Sequence, residues 1–193
     1  MKARCCIVGG GPAGMMLGYL LGRAGIDVVV LEKHADFFRD FRGDTVHPST
    51  LQVMDELGLI DGFLKLPHQR LQKMEGMFGG ETVRLADLSR LNVKYPFIAF
   101  MPQWDFLNFL RESGKRFASL KVMMSTEAVD LLRDGERVTG VRAKTPDGSN
   151  GSLRSVARRQ ETSSPNSSGT PTARPPDLPR PIYTNVGRAC SQV

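Results

Sequence analysis

Six residues close to the N-terminus, Gly9-Gly10-Gly11-Pro12-Ala13-Gly14, constrain the fold of this chain more than any other feature. The apolar run over residues 4–8 stops at these glycines, as a buried strand does. Residues 12–24 then place apolar side chains at helical spacings, and Gly25 supplies a helix stop. The β-branched run from Ile26 to Leu31 predicts a parallel strand covered on both faces. Together these segments predict one strand–helix–strand unit.

The glycine spacing also indicates a ligand. The loop fits the pattern G-x-G-x-x-G, and Glu32 follows at the end of the second strand, eighteen residues after Gly14. In this arrangement Gly9 permits the tight turn, Gly11 lets the backbone approach a pyrophosphate, and Gly14 lets helix and strand pack closely. The helix N-terminus favours phosphates, and Glu32 accepts hydrogen bonds from ribose hydroxyls. We therefore predict a site for an ADP-containing dinucleotide; the alternative is a strand–turn–helix link without a ligand.

The rest of the chain up to residue 148 continues as a mixed α/β pattern. Apolar spacing predicts helices over 48–57 and 102–117, and β-forming residues predict strands within 72–101 with Gly79-Gly80 as a turn. Three more strands are predicted, the last two joined by a hairpin at Asp134-Gly135-Glu136: Val122 to Ser125, Val129 to Arg133 and Arg137 to Lys144.

The last quarter of the chain differs from the rest in composition. Residues 149–193 hold six arginines, no lysine, two acids and six of the 12 prolines, so most of the net charge of +6 lies there. We place a boundary at Asp147-Gly148 and predict a disordered Ser/Pro/Arg-rich tail. The nearly neutral body does not indicate a nucleic-acid partner.

Three cysteines, two of them adjacent at Cys5 and Cys6, form neither a disulfide framework nor a metal-ligand spacing, so no metal site is predicted. No apolar stretch reaches the length of a transmembrane helix, and the N-terminal run is too short for a signal peptide. We therefore expect a cytoplasmic protein.

The glycine loop with Glu32-Lys33, followed by Arg42-Gly43-Asp44 and Pro102-Gln103-Trp104, resembles the class A flavoprotein monooxygenases. These are aromatic-ring hydroxylases related to p-hydroxybenzoate hydroxylase. Over residues 1–148 the resemblance implies an α/β, Rossmann-like FAD-binding domain of the glutathione-reductase type with an inserted β segment. That segment, about 72–100, is where the family begins its substrate-facing sheet, with Phe97, Ile98 and Phe100 as candidate wall residues that core packing also explains.

The resemblance implies FAD as the cofactor and NAD(P)H as co-substrate. In the family the reduced flavin reacts with O₂, and the flavin hydroperoxide hydroxylates a small, usually phenolic, aromatic substrate. Because the cofactor carries the chemistry, no catalytic protein residue is predicted. His47 is interpreted as a helix cap or packing residue rather than a base. The implied cofactor-binding residues are Gly9, Gly11, Pro12, Ala13, Gly14, Glu32, Lys33, Arg42, Gly43, Asp44, Thr45, Gln103 and Val129.

Members of the family are about twice as long as this chain and carry a further strand and a Gly-Asp motif after the hairpin. We therefore expect a truncated monooxygenase that binds FAD weakly or not at all and does not turn over by itself. The alternative is a stand-alone dinucleotide-binding or interaction module whose basic tail docks a partner.

The composition change after residue 148 predicts a shift of reading frame, because enrichment in Arg, Pro and Ser without lysine is typical of GC-rich DNA read out of frame. Sequencing the gene beyond codon 148 and translating the other two frames tests this. We expect an open frame rich in Leu, Val and Phe that contains Gly-Asp. Stop codons throughout both frames would instead indicate a natural disordered tail.

Overall fold

The computed structural model describes residues 1–38 and 44–155. The predicted cofactor residues Arg42 and Gly43 and the tail beyond Ser155 lie outside these ranges. The helices are α1 (Pro12–Arg23), α2 (Pro48–Glu56), α3 (Ile60–Phe63) and α4 (Gln103–Gly114). The strands are β1 (Lys2–Ala3), β2 (Cys5–Val8), β3 (Val28–Leu31), β4 (Thr45–Val46), β5 (Gln69–Leu71), β6 (Lys73–Phe78), β7 (Glu81–Asp87), β8 (Ile98–Phe100), β9 (Leu120–Met123), β10 (Glu127–Asp134), β11 (Arg137–Lys144) and β12 (Asn150–Ser155).

A three-stranded parallel sheet forms the centre of the fold, with β3 between β2 and β9. All four residues of β3 are buried, and they alternate between two apolar clusters. Val30 packs with Met15 and Tyr19 of α1, whereas Val29 and Leu31 pack on the opposite face of the sheet. The prediction of a parallel strand covered on both faces is therefore confirmed, since one face meets α1 and the other meets a second sheet.

Three glycines along one face of α1 let this helix approach the parallel sheet closely. A Cβ built at Gly14 would lie 2.0 Å from the carbonyl oxygen of Gly9, one at Gly18 2.6 Å from Val30 Cγ2, and one at Gly22 2.8 Å from Leu120 Cβ. Because residues four apart share a helix face, this stripe meets the end of β2, then β3, then β9 in succession. Side chains at these positions would push the helix away from all three strands.

The second sheet has the order β1-β12-β11-β10 and covers the other face of β3. The predicted hairpin joins β10 and β11, and Gly135 adopts a positive φ of 59° in its turn. The strand β12 pairs antiparallel with β11 and parallel with β1. The predicted boundary at Asp147-Gly148 is therefore wrong as the end of the folded part, because it lies in the turn between two paired strands.

That turn is stabilised by its own polar side chains. Thr145 and Ser149 donate hydrogen bonds to the Asp147 carboxylate, and these bonds lower the pKa of Asp147 to about 2. Composition concealed the strand that follows, because Leu153 is its one apolar side chain and is buried against the parallel sheet. The backbone ladders to β11 and β1 do not depend on side-chain type, so they leave no pattern in the sequence.

The segment between the first helix and α4 forms two smaller sheets. The strands β4, β8 and β5 make an antiparallel sheet with β8 in the centre, and β6 pairs with β7 as a two-stranded ribbon. The predicted turn at Gly79-Gly80 closes this ribbon, and both glycines have positive φ. The Lys94 ammonium and the Tyr95 hydroxyl donate hydrogen bonds to the Asp55 carboxylate of α2. These bonds lower the pKa of Asp55 and attach the chain before β8 to that helix.

Two further expectations from the sequence concern the cysteines of the first strand and membrane-spanning helices. Burial raises the pKa of the Cys5 and Cys6 thiols, which are both free, and this fits their interpretation as small packing residues of the first strand. Among the described residues, no helix has the length and apolar character that a membrane crossing requires.

Leu153→Ala tests the extension of the sheet beyond residue 148. Because Leu153 packs against Val29 and Leu31, the substitution should lower the free energy of unfolding by about 2–4 kcal/mol. The neighbouring Ser152 is exposed, so Ser152→Ala should change it by less than about 0.5 kcal/mol. Urea denaturation followed by circular dichroism measures both. Equal unfolding midpoints for the two variants would contradict the placement of β12 in the sheet.

Candidate functional site

The glycine loop forms a tight connection between β2 and α1. Gly9 has a φ of +104°, which glycine adopts without steric strain. Its N–H donates to the carbonyl oxygen of Leu31 on β3 (2.8 Å). The close approach of Gly14 to the Gly9 carbonyl leaves no room for a side chain at position 14. The roles that the sequence predicts for the first and third glycines of the motif are therefore those that the backbone geometry requires.

Gly11 differs from these two glycines, because no contact with the described residues requires it. Its φ is −69°, and a Cβ built on it would have no atom of the described residues within 4 Å. Gly11 is the N-cap of α1, with Pro12 as the first helical residue and no acidic residue in the first turn. Within the described part of the chain, the surface here is an exposed helix N-terminus. That cradle fits a phosphate group, which is attracted by the free N–H groups and the positive end of the helix dipole.

Glu32 follows β3 and is a buried carboxylate, with 6% of its surface exposed. Its Oε2 accepts a hydrogen bond from the Gly10 N–H (2.9 Å), and its Oε1 accepts from the His34 N–H (3.0 Å). The His34 imidazole lies against the same oxygen, with Nδ1 2.8 Å from Oε1. These bonds orient the carboxylate beside the glycine loop, at the end of the central strand. The predicted ribose acceptor and the predicted phosphate cradle are thereby joined by one hydrogen bond.

Two residues of this arrangement were not singled out by the sequence analysis. Gly10 has little room for a side chain, because a Cβ there would lie 3.0 Å from Glu32 Cβ and 3.2 Å from Phe37 Cε1. His34 is the second residue after the acid and contacts it through both its backbone and its ring. The run of three consecutive glycines, with Gly10 in the middle, is a sequence signal for the limited room at position 10. No spacing rule in the motif identifies the histidine.

The turn between β9 and β10 donates hydrogen bonds to the backbone of Glu32 and His34. The Ser125 N–H donates to the His34 carbonyl (2.7 Å), and the Thr126 N–H donates to the Glu32 carbonyl (2.8 Å). These bonds replace strand pairing after Met123, which explains why β9 ends two residues before the predicted strand does. Val129 lies further along β10, half-exposed, at a register shift between Ala128 and Asp130.

A cavity of about 270 Å³ opens beside the start of α1. Three predicted cofactor residues that are far apart in the sequence line it together, namely Pro12, Thr45 and Gln103. The Met101 N–H donates to the Asp44 carbonyl (2.9 Å), which brings the start of α4 next to β4. The remaining lining residues, most of them apolar, are Met16, Val46, Thr50, Met101 and Phe106. Of these five, the sequence analysis singled out none as a cofactor residue.

The other described residues that the sequence predicts as cofactor contacts do not line this cavity. Lys33 and Asp44 are exposed, and Ala13 is exposed on the first turn of α1. His47 occupies the N-cap position of α2, as the sequence suggests, but its side chain makes no capping hydrogen bond. Phe97 is buried in the core beneath the Arg70 guanidinium, so it has the packing role. Within the described part of the chain no group of acids, histidines and cysteines has a metal-binding arrangement.

Comparison with known proteins agrees with this geometry. The model of the FAD binding domain family matches residues 2–156. A 6-methylpretetramide 4-monooxygenase of Streptomyces rimosus is 29% identical over 136 residues, which are 70% of this chain and 32% of that protein. A tryptophan 2-halogenase of Chondromyces crocatus is 31% identical over 79% of this chain and 28% of its own length.

Among solved structures, that of a p-nitrophenol 4-monooxygenase from Pseudomonas putida superposes with a TM-score of 0.69 at 25% identity. The alignment covers 79% of this chain and 39% of that enzyme. The chain thus spans about a third of the length of the relatives that it matches.

Substitution of Gly11 and Gly14 by alanine separates ligand binding from folding. Gly14→Ala should lower the free energy of unfolding by about 3 kcal/mol or more, because the added methyl meets the Gly9 carbonyl. Gly11→Ala should change the free energy of unfolding by less than about 1 kcal/mol, since its methyl meets no atom of the described residues. The same substitution should weaken FAD binding about tenfold or more, because the methyl occupies the phosphate cradle. Thermal unfolding and FAD titration measure the two effects. A Gly11→Ala protein that keeps its FAD affinity would contradict the phosphate cradle.

Proposed function

Because the chain belongs to the FAD binding domain family, we propose that it binds FAD and forms the dinucleotide-binding part of an NAD(P)H- and O₂-dependent monooxygenase of aromatic compounds. The observation that carries the proposal is the hydrogen bond between the Gly10 N–H and the buried Glu32 carboxylate. It supports the proposal because Glu32, as the proposed ribose acceptor, lies next to the N-terminus of α1, and an ADP moiety needs an acceptor and a helix N-terminus side by side.

Each part of the site has a distinct task toward FAD. The N-terminus of α1 at Gly11 would hold the pyrophosphate, and Glu32 would accept hydrogen bonds from the adenosine ribose. Pro12, Thr45 and Gln103 would contact the cofactor further along, where their cavity continues from the start of α1. The predicted roles of Lys33, Arg42, Gly43, Asp44 and Val129 remain part of this proposal. The bound flavin supplies the redox and oxygen chemistry, and the protein residues bind and orient it.

The negative charge of Glu32 also selects among dinucleotides. A carboxylate that faces the 2′ and 3′ hydroxyls repels a 2′-phosphate at the same position. We therefore expect this site to take FAD or another dinucleotide with an unmodified ribose.

We propose an aromatic, phenol-type substrate and hydroxylation because most of the described relatives are monooxygenases, among them a p-nitrophenol 4-monooxygenase. A tryptophan 2-halogenase shares the same domain. The domain is therefore shared by relatives of both reaction types. We also propose a cytoplasmic location, with which the free, partly buried thiols of Cys5 and Cys6 agree.

A direct test is FAD titration of the purified full chain, followed by flavin absorbance and fluorescence. We expect weak, saturable binding that Glu32→Gln reduces about tenfold to a hundredfold, because a charged acceptor of the ribose is lost. Glu136→Gln, in the exposed turn between β10 and β11, removes the same charge at a distant position and should leave the affinity unchanged. Equal affinities for the two variants would refute the proposed ribose contact.

The same preparation tests the reaction that we propose. NAD(P)H consumption with FAD, O₂ and a phenol such as p-nitrophenol should be absent or very slow for this chain, because it spans about a third of its relatives. Flavin binding without turnover would support a dinucleotide-binding part of a larger enzyme. Rapid turnover would show that the described residues are sufficient for catalysis, contrary to our expectation.

A further inference from the structure

The contact between His34 and Glu32 carries an inference that rests on the proposed FAD site. Glu32 accepts hydrogen bonds from at least three donors of its own chain: the Gly10 N–H, the His34 N–H and the His34 ring. An ionised carboxylate offers about four lone-pair positions in total. A ribose that bonds through both its 2′ and 3′ hydroxyls needs two of them. At least one of the three protein donors must therefore leave when the ribose binds.

The two backbone donors are not free to leave. The Gly10 N–H belongs to the loop that Gly9 attaches to Leu31, and the backbone at position 34 is held by the Ser125 N–H. The Thr126 N–H holds the carbonyl of Glu32 in the same way. Moving either backbone donor would disrupt the connection of β3 to its neighbours.

The His34 ring, by contrast, is able to leave without disturbing the backbone. Its side chain is 46% exposed, whereas that of Glu32 is 8% exposed, so the ring lies on the solvent side of the carboxylate. Rotation about two side-chain bonds moves it into water, where its nitrogens find other partners.

We propose that the His34 imidazole competes with the adenosine ribose for the Glu32 carboxylate and thereby sets the affinity of the FAD site. The ring bonds to Oε1 through Nδ1, so it occupies an acceptor position that a ribose hydroxyl needs. Removal of the ring should therefore strengthen FAD binding.

The test is an FAD titration of the full chain and its variants. His34→Ala should bind FAD about tenfold more tightly than the unsubstituted chain, because the ribose no longer displaces a hydrogen bond from Glu32. His34→Gln, which keeps a side-chain donor, should bind FAD with an affinity between those of the two proteins.

The matched control is His68→Ala. The His68 ring bonds to the Leu66 carbonyl and to Arg70, so its loss also removes a histidine that makes hydrogen bonds. This variant should keep the FAD affinity of the unsubstituted chain. Nitrogen NMR of the three histidine rings gives a second readout, because the His34 signals should move toward those of a solvated ring when FAD is added.

The possible failures are distinguishable. If the unsubstituted chain and His34→Ala bind FAD with equal affinity, the competition is refuted and the FAD site stands. If the His34 ring signals do not change on FAD binding, the competition is likewise refuted. If neither protein binds FAD, the proposed function fails and the inference fails with it.

Discussion

The close approach of α1 to the parallel sheet is the constraint on which the rest of this structure depends. Glycines at positions 14, 18 and 22 remove the side chains that would separate the helix from β2, β3 and β9. Glycine is unfavourable inside a helix by about 1 kcal/mol relative to alanine, so three of them on one face indicate a packing requirement that outweighs this cost. The resulting contact places the N-terminus of α1 directly at the end of the central strand.

The buried carboxylate of Glu32 joins the parts of the candidate site in the same region. Burial of a charge is costly unless hydrogen bonds compensate for it, and here the glycine loop and the segment after β3 provide the donors. The backbone bonds from Ser125 and Thr126 add the turn before β10 to this assembly. A change at any of these positions should therefore affect both the local backbone and the predicted ribose contact.

The features of the candidate site all concern the proposed cofactor. The described residues contain the proposed phosphate cradle, the proposed ribose acceptor and a cavity beside the start of α1. Relatives that include a monooxygenase and a halogenase share this part, so the domain does not by itself determine the reaction or its substrate. Those properties depend on residues that contact the substrate, which the described cavity does not identify.

Local sequence patterns determined the strand–helix–strand unit, the hairpin at Gly135, the roles of Gly9 and Gly14, and the position of Glu32 after the central strand. These features depend on residue spacing and on the conformations that glycine permits, so they can be derived without tertiary contacts. The resemblance of separated motifs indicated the FAD-binding domain family, which the family match confirms.

Tertiary structure alone decided three other features. The strand β12 is held mainly by backbone hydrogen bonds, which composition does not record, so the predicted boundary at Asp147-Gly148 came too early. The meeting of Pro12, Thr45 and Gln103 in one cavity depends on the pairing of β4 with β8, which brings distant segments together. The bond from His34 to Glu32 depends on a side-chain rotation and on a turn ninety residues later in the chain, and no periodic pattern encodes such a contact.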